Sequence, residues 1–178
     1  MGKNWIKYLI GFAVCFAIRL VPLRPPNVEP VMASLMPFSK KYGYLGGFAF
    51  AFLSIALFDV FTAKVGIWTL VTALTYGVVG LSAAFFFRKR KNSIFNYAGF
   101  AIIGTLFFDA VTLTIGPLFY GQPWIEAIVG QIQFTALHLI GNVALSILMS
   151  PFLYSWVLDN RFLDTDVFFV KFVKMVNS

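Results

Sequence analysis

RPPNVEP, residues 24–30, leads straight into VMASLMPFS, residues 31–39. The first piece is stiff and charged; the second is apolar and short. As a helix the second covers about 13 Å, well under the roughly 30 Å of a bilayer core. It therefore either crosses where protein lines the path or dips in and returns. Pro25, Pro26 and Pro30 limit the connector's conformations and reduce the entropy lost on ordering it. Arg24, Asn27 and Glu29 place polar groups between two greasy stretches. On these residues alone the connector reads as a rigid turn that joins two helices.

Composition settles the class. Of 178 residues, 60% are hydrophobic and 12% charged, and the mean hydropathy is +0.83. Soluble domains run nearer a quarter charged, so too little polar surface exists to cover a water-soluble globule. The 22 phenylalanines suit helix surfaces that face lipid. The net charge of +7 does not point to nucleic acid, because the basic residues sit in short clusters between apolar runs. Cys15 is alone in such a run, which excludes a disulfide framework or thiolate metal site.

Hydropathy places helices near 5–23, 43–63, 67–87, 94–116 and 124–150, each long enough to span. Lys3 and Lys7 before an apolar run invite a signal-peptide reading. Arg19 interrupts that run and no small-x-small cleavage site follows, so it is read as the first helix. The stretch 162–176, with Lys171 and Lys174 on one side, is read as an interfacial amphipathic helix. If 31–39 crosses, eleven basic residues fall on one side, including Lys40, Lys41 and the run Arg88–Lys91. Only Arg24 and Lys64 fall on the other, with Arg19 left in the membrane. A re-entrant 31–39 changes this to ten against three. Both place the KK and RKRK clusters inside. The expectation is an all-α integral membrane protein, a six-helix bundle with a short second helix and cytoplasmic N- and C-termini. Residues 1–160 form one transmembrane domain and 161–178 the interfacial tail.

Polar residues within the apolar runs mark the candidate site. FDVFTAKVG at 58–66 echoes FDAVTLTIG at 108–116. The shared F-D-x-x-T-x-x-x-G suggests a repeated helix hairpin or a helix-end cap. Asp and Thr three apart share a helix face, and the glycine would let the chain turn away. Asp59, Asp109, Glu29 and Glu126 gather at the end opposite the basic clusters. In the last helix Gln131, Thr135, His138 and Asn142 form one polar stripe. Such a stripe either glues helices together or walls a wet cavity. A weaker stripe runs through Thr69, Thr72, Tyr76 and Gly80, with Trp68 beside it as an interface anchor. Ala13 and Ala17 let another helix approach closely. Arg19, nearly opposite Ala17, is expected to point into the bundle towards Asp59 or Asp109, or to snorkel.

The Ala13/Ala17 pair, RLVPLRPPNVEPVMASLMPFSKKYG at 19–43 and the F-D-x-x-T-x-x-x-G hairpin resemble the substrate-binding S components of energy-coupling factor (ECF) transporters. The PPN element also resembles a small-membrane-protein signature, Arg-x-x-Pro followed by Pro-Pro-Asn after the first helix. The ECF resemblance implies capture of a vitamin, a related micronutrient or, in some branches, a metal ion in an outward-facing cavity. It implies that the connector acts as a lid, placing Arg24, Asn27 and Glu29 there. It implies that Ala13 and Ala17 pack on a transmembrane coupling subunit driven by two ATPase subunits. The chain has no P-loop, so partners would supply ATP chemistry.

The candidate solute contacts are then Arg24, Asn27, Glu29, Asp59, Thr62, Tyr76, Asp109, Thr112, Gln131, Thr135, His138 and Asn142. No catalytic residue, resident metal or cofactor is expected. The partners are a vitamin-like solute, the coupling and ATPase subunits, and lipid. Two other functions compete: a solitary proton-coupled transporter using Asp59 or Asp109, and an intramembrane enzyme using Asp59, Asp109 and His138. The enzyme lacks a nucleophile elbow or HExxH motif. Aromatic residues mixed with polar ones fit a small, partly planar organic solute.

Overall fold

The computed structural model describes residues 4–21 and 27–168. Helices α1 (Trp5–Arg19), α2 (Pro30–Phe61), α3 (Ile67–Phe87), α4 (Ile94–Leu113), α5 (Ile115–Tyr120) and α6 (Trp124–Phe152) make up the body. A π-helical turn, Leu153–Leu158, and a 3-10 turn, Arg161–Leu163, follow. No strand occurs among the described residues. Four helical runs are long and apolar enough to cross a membrane: Pro30–Phe61, Ile67–Phe87, Ile94–Tyr120 and Trp124–Leu158.

Helix α2 is two arms. Gly43 has φ 72° and ψ −160°, a conformation open to glycine and closed to other L-residues. Pairs placed symmetrically about it meet. Phe38 stacks on Phe50 at 4.2 Å, and Ser39 lies against Gly47. The arms, 30–42 and 44–61, are therefore an antiparallel hairpin. Arm 30–42 starts beside Arg19, through Glu29, and ends at Lys40 and Lys41. Lys40 Nζ donates to the Phe87 and Arg90 carbonyls, and Lys41 pairs with Asp159 at 3.2 Å. The short apolar piece thus joins opposite ends of the molecule.

This arm is only about 20 Å long, yet Pro30 through Ser39 are all buried. A helix apolar all round belongs inside protein. Tyr8 of α1 packs edge-on against Phe38 at 5.1 Å. Met32 fits against Gly104 of α4. Pro30 occupies the first turn, where its missing N–H leaves no helical acceptor unpaired. Pro37 lies deeper. It removes the hydrogen bond that Ala33 C=O would accept from residue 37. Ser150 of α6 replaces it, its hydroxyl donating to the Ala33 carbonyl at 2.7 Å. In hydrocarbon such a repair is obligatory.

The second arm meets α3 backbone to backbone. A Cβ on Gly47 would lie 2.7 Å from the Gly80 carbonyl oxygen. Gly80, grouped with a polar stripe in the sequence, is thus a helix-crossing contact. Helix α1 ends at Arg19, four residues before the hydropathic limit. The fourth helix ends at Leu113, and α5 carries the chain to Gly121, whose φ is 66°. The expected interfacial tail lies mostly outside the described residues. Its start is anchored, because buried Lys7 donates to the Leu158 carbonyl at 2.9 Å and pairs with Asp164 at 2.5 Å.

Ser150→Ala leaves the Ala33 carbonyl unpaired in the core. We expect a loss of about 1–3 kcal/mol, read as a lower Tm in detergent. An unchanged Tm would show that the carbonyl needs no partner.

Candidate functional site

At the end of the molecule opposite Lys40 and Lys41, five segments converge on a cavity of about 360 Å³. These are the end of α1, the connector, the α2–α3 hairpin, α4 and α6. Ile55, Phe58, Trp68, Phe108 and Phe134 form its apolar wall, and Thr72, Tyr76 and His138 add polar points. Arg19 and Lys64 bring positive charge, Glu29 and Asp59 negative. The formal charges balance.

Arg19 is placed by three contacts. Its guanidinium donates to the Ser54 carbonyl at 2.6 Å, pairs with Glu29 at 3.1 Å and lies 3.8 Å over the Phe58 ring. It points into the bundle as expected, but it engages Glu29, with neither Asp59 nor Asp109 as its ion-pair partner. A buried ion pair stays tolerable only when its hydrogen-bonding capacity is used.

The described part of the connector bridges α1 and α6. Glu29 holds the α1 side through Arg19. On the other side Asn27, with φ 63°, donates from Nδ2 to the Phe134 carbonyl at 3.4 Å. The 27–28 backbone rests on Gly141, where a Cβ would sit 2.9 Å from the Asn27 carbonyl oxygen. Gly141 is therefore the seat of the connector. Arg24, Pro25 and Pro26 lie outside the described residues.

The two echo copies share one local device. Thr62 donates to the Phe58 carbonyl at 2.9 Å, and Thr112 to the Phe108 carbonyl at 3.0 Å. Their aspartates diverge. Asp59 accepts from Thr69 at 2.6 Å and ties the α2–α3 turn. Asp109 meets His138 of α6 at 2.7 Å. The glycines do not turn the chain as expected. Gly66 is extended and Gly116 is helical; the left-handed residues are Ala63 and Gly121.

The expected contacts therefore sort into groups. Asn27, Glu29, Asp59, Tyr76 and His138 line the cavity. Thr112 and Gln131 line a neighbouring hollow of about 280 Å³, which shares Trp68 and Phe134 with the first. Thr62, Asp109, Thr135 and Asn142 line neither. Thr135 accepts from Gln131 at 3.0 Å, and Asn142 donates to Thr105 at 2.8 Å. Asn142 belongs to the inter-helix contact that continues along α6 through buried Ser146 and Ser150. Lys64 and the aromatic wall are not among the solute contacts expected from the sequence. Phe108 and Phe134 look there like any lipid-facing phenylalanine, and Trp68 like an anchor. No group of three potential metal ligands occurs among the described residues.

On α1, Ala13 and Ala17 lie on an exposed face with Leu9 and Leu20, while Gly11 and Cys15 are buried on the other side.

The described residues thus form an all-helical, multi-span membrane protein with a polar-pointed, aromatic-walled cavity at one end. The ECF-type riboflavin transporter S component family matches residues 6–155, and the chain belongs to that family. It is thus a vitamin-transporter substrate-binding subunit of a family that works with a transmembrane coupling component and ATPases. Neither the curated proteins nor the solved structures compared with it give a match.

Gly141→Val displaces the connector. Amide exchange across residues 27–29 should rise about tenfold, by mass spectrometry, with the middle of α3 unchanged. Unchanged exchange at 27–29 would show that the connector does not rest on α6.

Proposed function

We propose that the chain captures riboflavin, or a solute very like it, in the 360 Å³ cavity, with residues 24–30 as its lid. The carrying observation is the composition of the wall. Phe58, Trp68, Tyr76, Phe108 and Phe134 offer flat apolar surface to a planar ring system. The polar groups between them supply hydrogen bonds for its edge and side chain. Balanced charges favour a neutral solute over an anion such as a phosphate ester. Riboflavin, which gives the family its name, is neutral and carries a planar ring system.

The cavity faces the exterior and both termini lie in the cytoplasm. This orientation rests on the basic clusters at the opposite end. Helix α1 and arm 30–42 complete six crossings. Ala13 and Ala17 form the face that meets the coupling subunit, whose ATPase partners supply the energy. Asn27 and Glu29 close the cavity by their attachments to α6 and α1, and Arg24 belongs to the same lid. Thr112 and Gln131 border the adjoining hollow and contact the solute's outer part. Thr62, Asp109, Thr135 and Asn142 support the site from behind.

Riboflavin fluorescence should quench on addition of the purified protein, through stacking on the aromatic wall. Tyr76→Ala and Phe134→Ala should each weaken binding about tenfold or more. No quenching by the folded wild type, or affinity unaffected by both substitutions, would reject the assignment.

A further inference from the structure

Asp109 and His138 are the most deeply buried ionisable pair in the membrane-embedded part of the described chain. Each is about 2% exposed. A carboxyl group in a membrane helix, away from the solute wall, is expensive to keep. Asp109 does not line the cavity; His138 does. Asp109 Oδ2 has no hydrogen-bond partner among the described residues, so the group is not held there by a dense polar network. The other carboxyl oxygen, Oδ1, lies 2.7 Å from His138 Nδ1.

The imidazole is held on three sides. Phe108 meets it edge-on at 5.6 Å and Phe134 at 5.3 Å. Asp109 fixes the third. Where Asp109 accepts through Oδ1 and the ring is neutral, the proton between the two groups sits on Nδ1. Nε2 then carries a lone pair. The ring edge turned away from Asp109 is the one available to the cavity. Without an acceptor at 109, a neutral imidazole would be free to carry its proton on Nε2 and present a donor instead.

We propose that Asp109 is a positioning residue that holds His138 as the Nδ1–H tautomer. His138 Nε2 then accepts a hydrogen bond from an N–H on the edge of a planar, imide-bearing heterocycle. The inference rests on the capture reading above and adds the atom that reads the solute's ring edge. Placing the acceptor between two phenylalanines puts it where a flat ring inserts, so a ring N–H, rather than a flexible side-chain hydroxyl, is the group it meets. The arrangement selects against rings whose N–H is blocked, since Nε2 would be left buried and unpaired.

The test has two arms. The chain has a single histidine, so its ring nitrogens give one unambiguous set of NMR signals in ¹⁵N-labelled protein. Solute-free wild type should show the Nδ1–H tautomer. Asp109→Leu should move the population to Nε2–H, and Asp109→Asn, which keeps an acceptor oxygen, should retain Nδ1–H. In the second arm, riboflavin and its N3-methyl analogue are titrated. Wild type should bind the methylated compound about tenfold more weakly, and His138→Leu should bind both alike.

An Nε2–H signal in wild type overturns the proposal without any variant having to fold. Equal wild-type affinity for the two flavins overturns the recognition step. Complete failure of wild type to bind riboflavin strikes the capture reading, and the recognition step with it. The tautomer signal would still decide what Asp109 does to His138.

Discussion

Ten consecutive residues, Pro30–Ser39, are buried on every side, and the rest of the molecule is arranged to keep them so. Packing apolar side chains against protein rather than lipid brings little hydrophobic gain within a bilayer. The sheath must be held by close fit and hydrogen bonds. Gly43 turns the chain back so that the second arm covers one side. Tyr8 and Phe38 close the α1 side, and Met32 fits the small surface of Gly104. The Ser150 hydroxyl answers the carbonyl that Pro37 leaves open. An arm of about 20 Å could not do this in contact with lipid.

The cavity follows from that arrangement. The arm begins at Pro30, so the connector before it must come down on the bundle at the same end. Arg19 and Glu29 hold it to α1, while Asn27 and Gly141 hold it to α6. What remains beneath is space walled by α2, α3, α4 and α6. The basic residues gather at the far end, where Lys7, Lys40 and Lys41 are engaged by carbonyls or by Asp159 and Asp164. One end thus carries the cavity and the other a positively charged rim.

Much of this was legible in the sequence because hydrocarbon imposes simple patterns. The long helices follow hydropathy, and Glu29, Asp59, Tyr76 and His138 stood out as polar residues among apolar ones. Two things were hidden. The length of arm 30–42 depended on Pro37 being tolerated, and that in turn on Ser150, 113 positions away. Spacing alone also does not separate a residue that lines a cavity from one that bonds a neighbouring helix. His138 and Asn142 share a stripe, yet one lines the cavity and the other bonds to Thr105. Phe134 and Trp68 were invisible as wall residues because aromatic side chains serve lipid contact equally well.

Thr72 lines the chamber, and the native Cys15 is fully buried. A Thr72→Cys protein can therefore be probed in oriented vesicles with a membrane-impermeant maleimide, with and without riboflavin. Modification from the exterior alone, suppressed by riboflavin, is the result expected of an outward-facing chamber that holds the vitamin. Modification from the cytoplasmic side alone, or labelling that riboflavin leaves untouched, would contradict it.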